Sequence, residues 1–173
     1  MLAKVKNTKG FSLIELLVVI VIIGILSTGA VTYFTSARSK ARDAVRQATA
    51  SQIGQVVMAD VLEDGDFDEL AATDLYDGTG PSGLLQTEFG EVPTDPADFR
   101  YILMGSDDSL DYAVFYWSES NEGPAYVGNS TIGATVFADT DFLTDANATA
   151  PDAIAGYSIF VLDPSASTVV EAA

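Results

Sequence analysis

One carboxylate stands where an apolar segment would not be expected to hold one. Glu15 sits just ahead of Leu16 to Leu26, the longest apolar run of the chain, and Phe11-Ser12-Leu13-Ile14 precede it. An unpaired charge in a membrane segment costs several kcal/mol, so a residue of this type at this place requires a partner. The sequence offers a way to create one. Gly10 follows the basic start Lys4, Lys6 and Lys9. A cut between Gly10 and Phe11 would release an α-amino group four residues from Glu15. Positions i and i+4 meet on one helix face, so amine and carboxylate would pair within a subunit or between neighbours. The chemistry expected here is processing followed by charge pairing.

The remaining residue types exclude most other chemistry. The 173 residues contain no cysteine and no histidine. Disulfides, cysteine nucleophiles, imidazole acid–base catalysis and ordinary zinc sites are thereby ruled out. Two groups of aspartates invite a calcium reading, Asp64, Asp66 and Asp68, and Asp139, Asp141 and Asp145. Neither fits an EF-hand loop, because Glu69 stands at the sharp-turn glycine position of the first and Leu75 at its bidentate glutamate. Both are expected to be solvated acidic loops, with no cofactor. Asn147, in Asp145-Ala146-Asn147-Ala148-Thr149, heads an acceptor triplet with an acidic residue two places before it and is a candidate glycosylation site. Asn129-Ser130-Thr131 has only the short form. No nucleophile motif is present, and the chain is expected not to be an enzyme.

These residues need elements to position them. Phe11 to Val31 is about 21 residues, enough to span a hydrocarbon core as a helix. A secretory signal peptide and a plain anchor would share its basic start and apolar body, but neither explains Glu15. Lys9-Gly10-Phe11-Ser12-Leu13-Ile14-Glu15-Leu16-Leu17-Val18-Val19, continued by Ile22-Ile23-Gly24-Ile25-Leu26, resembles the class III signal of type IV pilins and type II secretion pseudopilins. The resemblance implies cleavage after Gly10 by a prepilin peptidase, methylation of Phe11, and Glu15 as the assembly glutamate. It also implies an inner-membrane assembly platform as partner, and some pseudopilins bind calcium near the C-terminus, which makes Asp139, Asp141 and Asp145 the better metal candidates. The chain departs from many such pilins at Thr32, where they carry a kinking proline; Gly24 and Gly29 remain as weak points of the helix.

Beyond the membrane segment, helical character continues without proline from Thr35 to about Glu63. Ala37, Ala41, Val45 and Ala48 begin an apolar stripe that Ile53, Val56, Val57 and Val61 extend. A continuous helix to Asp64 would be about 80 Å long, and its apolar first half must be buried in lipid or against copies of itself. Arg38, Lys40, Arg42 and Arg46 cluster just past the apolar run, as a solvated face or as partners for acidic neighbours. A connecting loop punctuated by Gly78-Thr79-Gly80-Pro81 follows, with a short helix expected between Asp66 and Leu75. Strands are expected at Phe99–Met104, Asp111–Ser118, Thr131–Ala138 and Tyr157–Leu162, with a turn at Gly123-Pro124.

The expected architecture is α+β: a long N-terminal helix packed on a small antiparallel sheet, the pilin fold. Its parts are a removed leader (1–10), a transmembrane and assembly helix (11–34), an amphipathic continuation (35–64), an acidic connecting loop (65–98) and a sheet region (99–173). Without Lys4, Lys6 and Lys9, the formal charge of −17 becomes −20, with five basic residues against 25 acidic ones. Such a surface repels nucleic acid and anionic lipid. The expected function is a structural subunit of a type IV pilus-like filament, serving attachment, motility or DNA uptake. It would rest as a single-pass inner-membrane protein in lipid and then polymerise with itself at the cell surface. The alternative is a pseudopilin of a type II secretion system.

Overall fold

The computed structural model describes residues 10–64, 67, 70–76, 83–97, 99–106, 108–129, 141–144, 154, 156–163, 166 and 168–172. A single helix, α1 (Leu13–Asp64), runs for 52 residues. The chain divides into two units, Met1–Arg38 and Ser39–Ala173.

In the first unit, α1 carries a long apolar stretch. Its most hydrophobic 18-residue window has none of its area buried. Two hydroxyls in this stretch are turned onto the helix itself: Ser27 Oγ donates to the Ile23 carbonyl at 2.7 Å and Thr28 Oγ1 to that of Gly24 at 2.9 Å. Such back-bonding leaves no polar donor facing outward where there is no water to receive it.

The second unit contains the rest of α1 with α2 (Ala72–Leu75), α3 (Leu84–Phe89), β1 (Tyr101–Ser106), β2 (Tyr112–Ser118), β3 (Gly123–Gly128), α4 (Asp141–Thr144), β4 (Tyr157–Asp163) and β5 (Thr168–Glu171). The five strands form one antiparallel sheet in the order β3-β2-β1-β4-β5. Register places Leu103 between Val114 and Phe160. Tyr101, Leu103, Val114, Tyr116, Phe160 and Leu162 thus share one face, and they pack on Ala50, Ile53, Val57 and Val61 of α1. Residues of period two on the strands meet residues of period 3.6 on the helix, as a helix-on-sheet layer requires. The expected α+β arrangement is what the structure has.

The sheet's opposite face is apolar too. Ile102, Met104, Ala113, Phe115, Ile159 and Val161 form a second cluster with Leu143 of α4. The central strand β1 is therefore buried on both sides, which explains its unbroken apolar sequence in an antiparallel sheet. Gly123 and Pro124, expected as a turn, begin β3 instead. β3 is an edge strand, where a residue without an N–H is tolerated. The chain reverses just before it, at Glu122, whose φ of 51° is left-handed. α3 and β5 were not expected, and the expected strand Thr131–Ala138 lies outside the described residues.

Gly105, in β1, has a steric reason. A Cβ there would stand 2.1 Å from the ring of Phe67, itself fully buried. Gly105→Ala is expected to displace that ring and destabilise the second unit by about 1–3 kcal/mol. Thermal unfolding followed through the single tryptophan, Trp117, checks this; an unchanged midpoint would contradict the packing described.

Candidate functional site

Gly10, Phe11 and Ser12 lead into α1 as exposed, non-helical chain, and Phe11 is 81 % exposed. The helix begins with a reciprocal pair of bonds. The Ser12 N–H donates to Glu15 Oε2 at 2.9 Å, and the Glu15 N–H donates to Ser12 Oγ at 3.3 Å. The Ser12 carbonyl accepts the first helical bond, from Leu16. This is a capping box, which occupies two of the amide donors that every helix N-terminus leaves unpaired. The spacing Ser12-x-x-Glu15 carries the signal in the sequence. The Glu15 carboxylate therefore has a hydrogen-bond partner in the uncut chain, although its charge is not neutralised there.

Past the apolar stretch, the basic cluster is not one surface. Arg46 is completely buried. Its guanidinium reaches Asp95 (Nε–Oδ2 2.5 Å, Nη2–Oδ1 3.2 Å), Asp43 (Nη1–Oδ1 2.9 Å) and Glu119, and lies 4.8 Å from the centre of the Phe99 ring. Arg42 holds Glu119 with a second fork, Nε to Oε1 at 2.8 Å and Nη2 to Oε2. Asp43 in turn accepts bonds from the Glu119 and Ser120 amides and from Ser118 Oγ. Asp95 accepts from the amides of Ala97 and Phe99, shaping the entry to β1. One clasp thus ties α1 to the Pro93–Pro96 segment and to the turn after β2. For Arg42 and Arg46 the expectation of a solvated face or of neighbouring-subunit partners was wrong: their partners lie within the chain. Asp43 and Arg46 stand three apart on the helix, so that one pair was readable. Asp95 and Glu119 lie 49 and 73 residues from Arg46 and leave no local trace. A second ion pair, Arg100 with Asp163 at 2.7 Å, joins the start of β1 to the end of β4.

Asp139, Asp145 and Asn147 lie outside the described residues, and Asp141 opens α4. Among the described residues no three acidic side chains are placed to hold a metal. Asn129 is engaged on both sides of its amide: Oδ1 accepts from the Tyr112 N–H at 2.9 Å, and Nδ2 donates to the Leu110 carbonyl at 3.0 Å. Asn129 thus ties the end of β3 to the start of β2.

Residues 5–31 match the family described as the prokaryotic N-terminal methylation motif, the class III signal of type IV pilins and pseudopilins. The match supports a type IV pilin-like or pseudopilin precursor, and such a motif implies processing by prepilin peptidase and assembly into pilus-type polymers. With the apolar helix, it fits a membrane-anchored precursor. The matched family is a structural signal and not an enzyme family. Neither the curated proteins nor the solved structures include a match.

The clasp makes two expectations. Arg46→Met would leave Asp95 buried and unpaired, at a cost of about 3–5 kcal/mol, and adding Asp95→Asn is expected to recover part of it. Denaturant unfolding of the single and double variants checks the coupling; additive losses would contradict it. Burial alone would raise the Asp43 pKa, but the bonds from Ser120, Glu119 and Ser118 outweigh it and hold the group at about 2 against its ordinary 3.8. The Arg42 fork likewise lowers Glu119. A depressed carboxylate stabilises the fold above its unfolded pKa and ceases to as pH falls through its folded one. Stability is therefore expected to fall between about pH 4 and pH 2, and Asp43→Asn should flatten that fall in an acid titration of the unfolding midpoint.

Proposed function

We propose that the chain is the precursor of a structural subunit of a type IV pilus-like extracellular filament. In this proposal the leader 1–10 is removed after Gly10 by a prepilin peptidase and Phe11 becomes the methylated N-terminus. Residues 11–34 rest in the inner membrane and then form the filament's helical core, and 35–64 with 65–98 and 99–173 form its exposed body. The observation that carries the reading is the unburied apolar stretch of α1, which begins at a carboxylate, Glu15, five residues after the exposed Gly10. A segment apolar on all sides has two stable surroundings, lipid and copies of itself.

The capping box supports a double use of Glu15. It engages Oε2 with the Ser12 amide, and neither Ser12 nor Glu15 is lost on cleavage. The other carboxylate oxygen stays available for the new amine of Phe11, on the same subunit or a neighbour. A helix start that is already capped offers that amine a fixed target.

A second reading, a pseudopilin of a type II secretion system, shares the whole N-terminal chemistry. It is favoured by the cysteine-free body, whose Pro93–Pro96 segment is held by Asp95 on Arg46 rather than by a disulfide.

Mass spectrometry of filaments sheared from the surface tests the proposal. The expected N-terminal peptide begins at methylated Phe11; processed chain found only in membranes would move the assignment to the pseudopilin, and a chain still beginning at Met1 would sink both. Replacing Gly10 by alanine is expected to stop cleavage. Glu15→Ala and Glu15→Gln separate cap from charge, since glutamine preserves the capping box. Both variants are expected to be processed and to yield few or no filaments. Normal assembly of Glu15→Gln would reduce Glu15 to a helix cap.

A further inference from the structure

A groove runs along the outward face of α1 beside α3. It begins at Thr49 and Pro93 and ends at Glu63 and Leu84, as successive hollows of about 170, 530 and 460 Å³ that share lining residues. Its floor is uncharged, formed by Gln52, Gln55, Val56 and Ala59, and Leu84 and Phe89 wall it on the α3 side. Asp60, Glu63 and Glu88 make its rim acidic.

The complementary surface is on the same helix. Ala41, Val45 and Ala48 are exposed and follow one another at steps of four and three, with Arg38 three residues before Ala41. Small side chains in that spacing allow another backbone to approach closely. Arg38 and Lys40 edge this face, both exposed. The ion pairs of the described residues take Arg42, Arg46 and Arg100 and neither of these two. A subunit cannot place Lys40 in its own groove, because Lys40 and Glu63 are 23 residues apart on one helix, roughly 35 Å at 1.5 Å per residue.

We propose that this groove receives the Arg38–Ala48 face of α1 from a second copy of the chain, with Arg38 and Lys40 of that copy against the Glu63 and Glu88 rim. Charge complementarity selects the occupant: with Lys4, Lys6 and Lys9 removed the net charge is −20, and this face presents the two cations that the ion pairs of the described residues leave over. The two surfaces are different patches of one chain, so the contact is heterologous. Repeated head to tail, such a contact generates a ring or an open helical polymer rather than a two-fold dimer, and the filament reading selects the polymer. The proposal rests on the filament reading and specifies a contact within it.

Cysteine cross-linking in the full-length chain tests it, since the natural sequence has no cysteine. Ala41→Cys and Ala59→Cys replace exposed, uncharged residues, and about 27 Å of helix between them forbids an intrachain bridge. Oxidised filaments carrying both substitutions are expected to give a ladder of multimers that reductant collapses, and filaments with either one alone to stay monomeric. Filaments without a ladder, or with dimers only, would overturn the docking and leave the filament reading standing. If the unaltered chain forms no filaments, the filament reading itself fails. In parallel, Arg38→Glu with Lys40→Glu is expected to lower sheared filament about tenfold while the processed subunit accumulates normally. Adding Glu63→Lys and Glu88→Lys should restore most of it. Undiminished assembly of the first variant, or no recovery in the second, would overturn the contact.

Discussion

The most hydrophobic stretch of α1 has none of its area buried among the described residues, and the other features follow from that constraint. Each uncovered leucine, isoleucine or valine forgoes roughly 1.5–3 kcal/mol that burial would contribute. A run of them cannot persist in water, so the segment depends on lipid or on other copies at every stage. Polar groups inside the run are correspondingly few and locally answered. Ser27 and Thr28 bond back to the helix, and Glu15, at its edge, closes a capping box with Ser12. Among the described residues of this stretch, Glu15 is the one that carries a charge.

The second unit solves a different problem: holding its part of α1 on the sheet with no covalent staple. Apolar contact supplies most of the cohesion, through Ile53, Val57 and Val61 against Leu103, Val114 and Phe160. The Arg46 clasp adds specificity more than net stability. A buried guanidinium loses its hydration, and its attraction to Asp95, Asp43 and Glu119 does little beyond offsetting that loss. Its value is positional. Slipping α1 by one turn would part Arg42 and Arg46 from Glu119 and Asp95, which favours a single register of helix on sheet. Burial on both faces of β1 tightens this further, because moving the sheet off the helix would also disturb its contact with Leu143.

The parts legible in the sequence were those written in local patterns. The N-terminal signal is a contiguous string, the helix is a long proline-free stretch of period 3.6, and β2 is an aromatic run. What escaped depends on distance or on competition between patterns. Arg46 reads as one more exposed cation until Asp95 and Glu119 arrive from 49 and 73 residues away. The stripe Ala37–Val61 looked single but divides: Ala50, Ile53, Val57 and Val61 turn to the sheet, while Ala41, Val45 and Ala48 stay outside. A helix facing both a core and a neighbour has two apolar faces, and periodicity cannot assign them. α3 is six residues long and β5 four, too short for a period to show. At Gly123-Pro124 turn chemistry and edge-strand tolerance make the same sequence, and only the sheet order distinguishes them. The Ser12–Glu15 box was legible and was hidden by a louder feature, the carboxylate's place in an apolar run.

Charge distribution joins the two units' problems. A body with 24 acidic residues, Glu15 being the twenty-fifth, repels copies of itself in almost every orientation. Assembly then needs orientations in which repulsion is locally reversed, and cations are the means. Three of the five outside the leader are committed to the fold, which leaves attraction available at few places on the surface. Scarcity makes those places selective: were the body neutral, many apolar contacts between exposed helices would be nearly equivalent, and association would be disordered. Background repulsion raises the energy of the wrong contacts more than that of the one arrangement bearing opposite charges, and a polymer of single geometry requires that difference.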